Sequence, residues 1–172
     1  VKILGIDPGS RNAGAAIVEV VAPDLVRLVD AIGVACTGEG SDLRIIARQF
    51  AEWILDWKPE IGIIERAQIK PLDGRTTAGV YMRATGALET CVVLCGVRLI
   101  TVEASCWKSY FGLKGKSKYK DPDEAKQAAR LYALEAFTPR PDYLLGEPRY
   151  HNRAEAALIA LYGARETAGT GG

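Results

Sequence analysis

Apolar residues gather in five short stretches of β-type pattern and recur at helical spacing in four longer ones. Lys2 to Asp7 (KILGID) is apolar and β-rich and runs into the turn Pro8-Gly9-Ser10. Gly14 to Val20 and Leu25 to Cys36 read as further strands, with Pro23-Asp24 suited to the hairpin turn between them. Ser41 or Asp42 caps a helix whose apolar stripe is Leu43, Ile46, Ala47, Phe50, Ile54 and Trp57, and Pro59 ends it. Ile61 to Glu65 (IGIIE) is a short buried strand, and residues 66–74, with Pro71 and Gly74, are a loop. A second helix runs from Thr76 or Thr77 to Cys95, stopped by Gly96, and Val97 to Val102 is the fifth strand. Residues 103–120 read as a loop with a helical turn near Trp107. A third helix spans Asp121 or Asp123 to Phe137, residues 138–150 with their three prolines are loop, and a last helix runs from His151 to Arg165. The order β-β-β-α-β-α-β-α-α predicts an α/β fold: a five-stranded mixed sheet, three N-terminal antiparallel strands plus two parallel, flanked by helices. Phe50, Trp53, Trp57 and Tyr132, at helical spacings, are expected in the core.

Composition changes this picture little. The chain has 172 residues, 48% hydrophobic and 25% charged, which suits one domain over residues 1–168 with a flexible tail at 169–172. There is no internal repeat and no apolar run long enough to span a membrane. The cysteines, Cys36, Cys91, Cys95 and Cys106, form no CxxC pair; Cys91 and Cys95 lie in an apolar helical run and read as buried thiols rather than zinc ligands. Free thiols fit a reducing cytoplasm. Lys plus Arg total 22 against 21 for Asp plus Glu, so net charge does not announce a nucleic acid. Distribution does: Ala104 to Lys120 carries five lysines and no acid.

Asp7 ends an apolar strand beside a tight turn, and Glu65 ends IGIIE in the same way. Either acid alone reads most simply as a solvated strand-end residue. If the two strands are adjacent and parallel, both carboxylates project at one edge, where desolvation and repulsion call for a cation. Mg²⁺, held by one or two carboxylates plus a substrate phosphate, is the natural candidate.

The run Ile3-Leu4-Gly5-Ile6-Asp7-Pro8-Gly9-Ser10-Arg11-Asn12-Ala13-Gly14 resembles the opening motif of RuvC-type Holliday junction resolvases. IGIIE is similar to their second acidic strand, and Ala154-Glu155-Ala156-Ala157-Leu158-Ile159-Ala160 to their C-terminal helix, where two acids stand three residues apart. Together, in order and at these distances, the motifs are specific, and the likeness spans nearly the whole chain. It implies an RNase H-like fold and a DNA endonuclease that cuts four-way junctions with Mg²⁺ or Mn²⁺, two ions per active site. It also implies Asp7, Glu65, Glu155 and Lys108 as catalytic residues, the acids as metal ligands and Asp7 as the bridging one. The fourth acidic position falls on Asn152, where the family has Asp or, in some members, His. Asn152 reads as an aspartate replaced so as to impair catalysis; a natural Asn, or His151 working one position earlier, is the alternative. A second active-site lysine falls on Lys118 or Lys126. A two-fold symmetric junction calls for a homodimer, expected through the apolar helix around 77–95.

Residues expected to touch DNA are Arg11, Arg66, Gln68, Lys70 and Arg75 near the acids, and Lys114, Lys116, Lys118 and Lys120 in the Gly- and Ser-interleaved basic run. Many RuvC proteins carry Phe three residues past the second acid; here Gln68 stands there, a departure that points to a phage or prophage member in a bacterial or phage-infected cell. Two rivals keep the site. One is an RNase H-like nuclease acting on flaps or other branched DNA; the other is a non-catalytic junction-binding protein. An actin-like or sugar-kinase ATPase also opens on a strand, an Asp and a Gly-rich turn, but 172 residues leave no room for its duplicated domain.

Overall fold

The computed structural model describes residues 1–9, 12–22, 24–35, 43–68, 74–114, 119 and 121–169. Its strands are β1 (Lys2–Asp7), β2 (Asn12–Ala22), β3 (Leu25–Ala35), β4 (Ile61–Glu65) and β5 (Arg98–Val102). Its helices are α1 (Leu43–Trp57), α2 (Arg75–Leu94), α3 (Ala104–Tyr110), α4 (Pro122–Ala136), α5 (Asp142–Leu145) and α6 (His151–Gly169). The sheet order is β3-β2-β1-β4-β5. β1, β2 and β3 form the expected antiparallel meander, while β4 lies parallel to β1 and β5 parallel to β4.

Alternation along the strands sorts side chains to two faces. Ile3, Ala16, Val18 and Ile63 pack with Trp107, Leu134, Leu145 and Leu158 on the side covered by α3 to α6. Leu4, Ile6, Ile17 and Ile64 pack with Phe50, Ile54, Leu88 and Val92 on the side covered by α1 and α2. Burial on both faces is why the central strands read as near-continuous apolar runs. α6 is the central covering helix, and its residues from Ala156 to Leu161 are all buried. It can lie so close only because the strands below it are bare. A methyl group on Gly5 would overlap the Ala156 carbonyl oxygen and stand 2.6 Å from the Ala160 nitrogen, and one on Gly14 would overlap the Asn152 carbonyl oxygen.

Several expectations need correction. Residues 104–110 form a seven-residue helix rather than a single turn, because Trp107 is fully buried and anchors the segment to the core. Residues 138–150 hold α5 and a 3₁₀ turn at Pro148–Tyr150; Leu144 and Leu145 are buried, and the buried Arg130 guanidinium donates to the Leu145 and Gly146 carbonyls at 3.3 and 2.8 Å. α6 continues past Arg165 to Gly169, and residues 170–172 of the expected tail lie outside the described residues, as do Ser41 and Asp42. Asp121 does cap α4, accepting from the Glu124 backbone N–H at 2.8 Å with Pro122 in the first turn. Trp53 and Trp57 are half-buried, and their indole N–H groups donate to Asp30 at 2.8 and 3.1 Å; Tyr132 is 36% exposed, not core. On α2, Ala84, Leu88 and Val92 serve this chain's own core, and the outward apolar side chains are Met82, Val93 and Leu94. Cys91 and Cys95 are half-buried free thiols that donate to the Ala47 and Ala51 carbonyls across the α1–α2 contact, each at 3.7 Å. Among the described residues no helix is long and apolar enough to cross a membrane.

Gly5→Ala therefore lifts α6 off β1. Its stability to urea should fall by at least the roughly 1–3 kcal/mol typical of overpacking, and an unchanged midpoint would show that α6 is not seated as described.

Candidate active site

The two-residue period that fills the core also aims the acids. Ile3 and Gly5 face α6, so Asp7 does too; Ile63 faces α6, so Glu65 does too. Ile6 is level with Ile64 in the parallel register, which sets Asp7 beside Glu65 at one inter-strand spacing, roughly 4.8 Å between backbones. Glu155 descends from the first turns of α6 onto the same edge, and its carboxyl is within hydrogen-bonding reach of that of Asp7. The three acids expected from the resemblance are thus brought together.

Burial first, then the charges of Glu155 and Glu65, hold the Asp7 carboxyl well above its usual range. Glu65 is also raised, chiefly by burial, with Lys108 and the Trp107 hydrogen bond pulling it back. Lys108, on α3, answers both: its ammonium stands 3.4 Å from Glu155 Oε1 and 4.8 Å from the centre of the Trp107 ring. Burial alone would lower it, but Glu155, then Glu65 and Asp7, carry it above its ordinary value. One lysine thus faces three carboxylates. Among the described residues no group of three or more carboxylate, imidazole or thiol side chains is already gathered as a cage for an ion. Glu65 Oε2 is turned to Trp107 and Glu155 Oε1 to Lys108, and each carboxylate has a second oxygen to offer a cation. The chemistry fits: hard carboxylate oxygens, crowded and short of positive charge, suit Mg²⁺ or Mn²⁺.

Asn152 is oriented by its amide N–H, which donates to the Asn12 backbone carbonyl at 2.9 Å, a bond that an aspartate cannot make. Its Oδ1 remains on the helix face of Glu155, three residues on. His151 is half-buried at the start of α6. Lys126 pairs with Asp123 at 3.5 Å within α4 and is not brought to the acids by any contact; Lys118 lies outside the described residues, as do Arg11, Lys70, Lys116 and Lys120. Arg66 leaves the end of β4 and pairs with Glu103 Oε1 at 3.0 Å, and Gln68 donates to Glu103 Oε2 at 3.2 Å. Arg75, in the first turn of α2, and Lys114, after α3, are exposed.

Two residues were missed in the sequence. Trp107, fully buried, donates its indole N–H to Glu65 Oε2 at 2.7 Å and so fixes that carboxylate. Its place just before Lys108 was the only signal. Glu103, at the N-terminal cap of α3, holds Arg66 and Gln68 together instead of capping the helix.

The raised Asp7 value sets a sign for stability. A carboxyl that ionises less readily when folded contributes relative stability at low pH and loses it as pH rises through the folded value. In EDTA, Asp7→Asn should therefore melt higher than the unaltered chain at neutral pH. The gain should vanish as pH falls to about 4, the ordinary carboxylate value. Melting curves that give Asp7→Asn no advantage at pH 7 would show the site not to be under electrostatic strain.

A family model described as "Crossover junction endodeoxyribonuclease RuvC" matches residues 3–91. A search of curated proteins returns no match. Among solved structures, Thermus thermophilus RuvC in complex with Holliday junction substrate is similar over 97% of this chain and 94% of its own, with TM-score 0.65 and 19% identity. Fowlpox virus resolvase in complex with its substrate Holliday junction DNA gives 97% and 99%, TM-score 0.63 and 13% identity. The yeast mitochondrial Holliday junction resolvase Ydc2 gives 95% and 77%, TM-score 0.64 and 15% identity. At such identities the likeness to these structures is one of fold, the RNase H-like sheet with its flanking helices. The matching family model covers half the chain and includes both strand-end acids, so the protein belongs to the RuvC family of crossover junction endodeoxyribonucleases.

Proposed function

We propose that this chain resolves four-way DNA junctions by divalent-metal-dependent hydrolysis of a phosphodiester, as a homodimer that nicks two symmetry-related strands. The observation that carries the proposal is the meeting of Asp7, Glu65 and Glu155 at one sheet edge with a single lysine between them. RuvC-like nucleases depend in general on divalent metal ions. Two Mg²⁺ or Mn²⁺ ions would be held here by Asp7, Glu65, Glu155 and the Asn152 Oδ1. Bound ions of this kind neutralise the scissile phosphate, activate a water and stabilise the leaving oxygen.

The chain's own residues do the rest. Trp107 keeps Glu65 from swinging to solvent. Lys108, whose ammonium stands 3.4 Å from Glu155 Oε1, is placed to meet the phosphate oxygens. Arg66 and Gln68, held on Glu103 at the same edge, meet the strand beyond the cut. Symmetric nicking needs two sites, and the exposed Met82, Val93 and Leu94 of α2 offer an apolar face to a second copy.

Cleavage of a labelled four-way junction, a flap and a linear duplex in Mg²⁺ tests the assignment. The junction should be cut fastest, and Asp7→Asn, Glu65→Gln and Glu155→Gln should each slow it by at least about 100-fold while leaving binding intact. Equal rates on flap and junction would instead favour a general branched-DNA nuclease. Asn152→Asp exchanges the bond to Asn12 for a fourth negative charge. It should lower stability in EDTA and raise metal-dependent cleavage sharply; equal cleavage by both forms would show that no charge is used at position 152. Tight junction binding with no cleavage by either form would leave a binding protein.

A further inference from the structure

Around the first turn of α6 lies a cleft of about 510 Å³, between the start of β2, the end of β3 and the turn into α6. Asn12 and Gly33 form its floor, and Arg149, Tyr150, His151, Asn152 and Arg153 its wall; among the described residues no carboxylate lines it. The two arginines differ. Arg149 is held by Glu147 at 2.7 Å. Arg153 has no carboxylate partner among the described residues; its guanidinium lies over the Tyr150 ring, 4.1 Å from the centroid. Tyr150 is itself fixed, its hydroxyl donating to Glu147 Oε1 at 3.1 Å. Stacking on a fixed ring sets the plane of the guanidinium and, among the described residues, leaves its N–H edge without a bond, the form in which arginine meets phosphate oxygens.

The cleft sits at the same sheet edge as the acids. Asn12 is level with Ala35, and Asp7 with Gly14, so the end of β1, the start of β2 and the end of β3 share that edge. Arg153 and Glu155 are two residues apart, about 200° around the helix, so one overhangs β3 and the other β1. Two inter-strand spacings, roughly 10 Å, separate the cleft from Asp7.

We infer that this cleft seats a backbone phosphate of the DNA strand on the β3 side of the scissile bond, with Arg153 as its principal contact. The inference rests on the nuclease reading and adds to it the direction in which the bound strand leaves the acids.

The test is binding of a fluorescently labelled four-way junction in EDTA, followed by anisotropy over a salt series, for the full chain, Arg153→Ala and Gly33→Glu. A side chain added at Gly33 meets only Arg153 Nε, at 3.9 Å, so Gly33→Glu keeps the sheet and sets an acid against the guanidinium. Each variant should bind about 5- to 10-fold more weakly, with a log–log salt slope shallower by about one phosphate contact. If the full chain binds and cuts the junction while both variants match its affinity and slope, the cleft is no phosphate seat and the nuclease reading stands. Weaker binding at unchanged slope marks an indirect structural effect and overturns the inference as well. A full chain that neither binds nor cuts branched DNA removes both.

Discussion

Three carboxylates share one corner of this molecule with, among the described residues, one lysine, and most of the surrounding architecture can be read as the means of enduring that imbalance. Asp7 cannot ionise freely beside Glu155 and Glu65 in a half-buried setting. The corner is held by a hydrogen bond between the Asp7 and Glu155 carboxyls, by the Lys108 ammonium, and by the Trp107 indole on Glu65. Each of these is weaker than a divalent cation would be, and each can be given up. A site built in this way would gain most from a cation that arrives together with an anionic phosphate, the pairing on which the proposed hydrolysis rests.

The corner exists because α6 does two jobs. It is the largest contributor to the core on its side of the sheet, buried on nearly every face from Ala154 to Leu161, and it also carries Glu155. A helix that must lie against bare glycine backbone at Gly5 and Gly14 has little freedom to slide or tilt. The depth at which Glu155 meets Asp7 is therefore set by core packing rather than by local loop geometry. The amide of Asn152 bonding the Asn12 carbonyl adds a polar stop at the open end of the same contact.

How much of this could be read from the chain follows the same division. Strands and their order were legible because alternation and continuous apolar runs are local signals, and the convergence of Asp7 and Glu65 followed once two such strands were taken as parallel neighbours. Glu155 was legible only through resemblance, since nothing in helical spacing says which strand a helix covers. The helix around Trp107 was legible only as a turn, and the short helices between Pro139 and Tyr150 were not legible. Their turns are too brief to show a period, and they are held by tertiary contacts, the buried Trp107 ring and the Arg130 guanidinium on the Leu145 and Gly146 carbonyls. Tyr132 was misassigned for a related reason: periodicity says that a face is apolar, not which neighbour it meets. Glu103, as a shared acceptor for Arg66 and Gln68, joins residues 35 or more positions apart in the chain and had no pattern to announce it.

The neutral side chain at position 152 fits this electrostatic account better than an acid would in the absence of metal. A fourth carboxylate on the same face of α6 as Glu155 would add repulsion where one lysine already serves three acids, and it would face the Asn12 carbonyl oxygen with no proton to offer. An amide satisfies that carbonyl and adds no charge beside the acids. The exchange is between two uses of the same position. A charge there strengthens the hold on a cation and burdens the folded chain until one binds; an amide relieves the folded chain and leaves a weaker ligand. Because Lys108 is the one counter-ion on hand among the described residues, the balance between these uses depends on how much of its charge is already taken up by Glu155, Glu65 and Asp7.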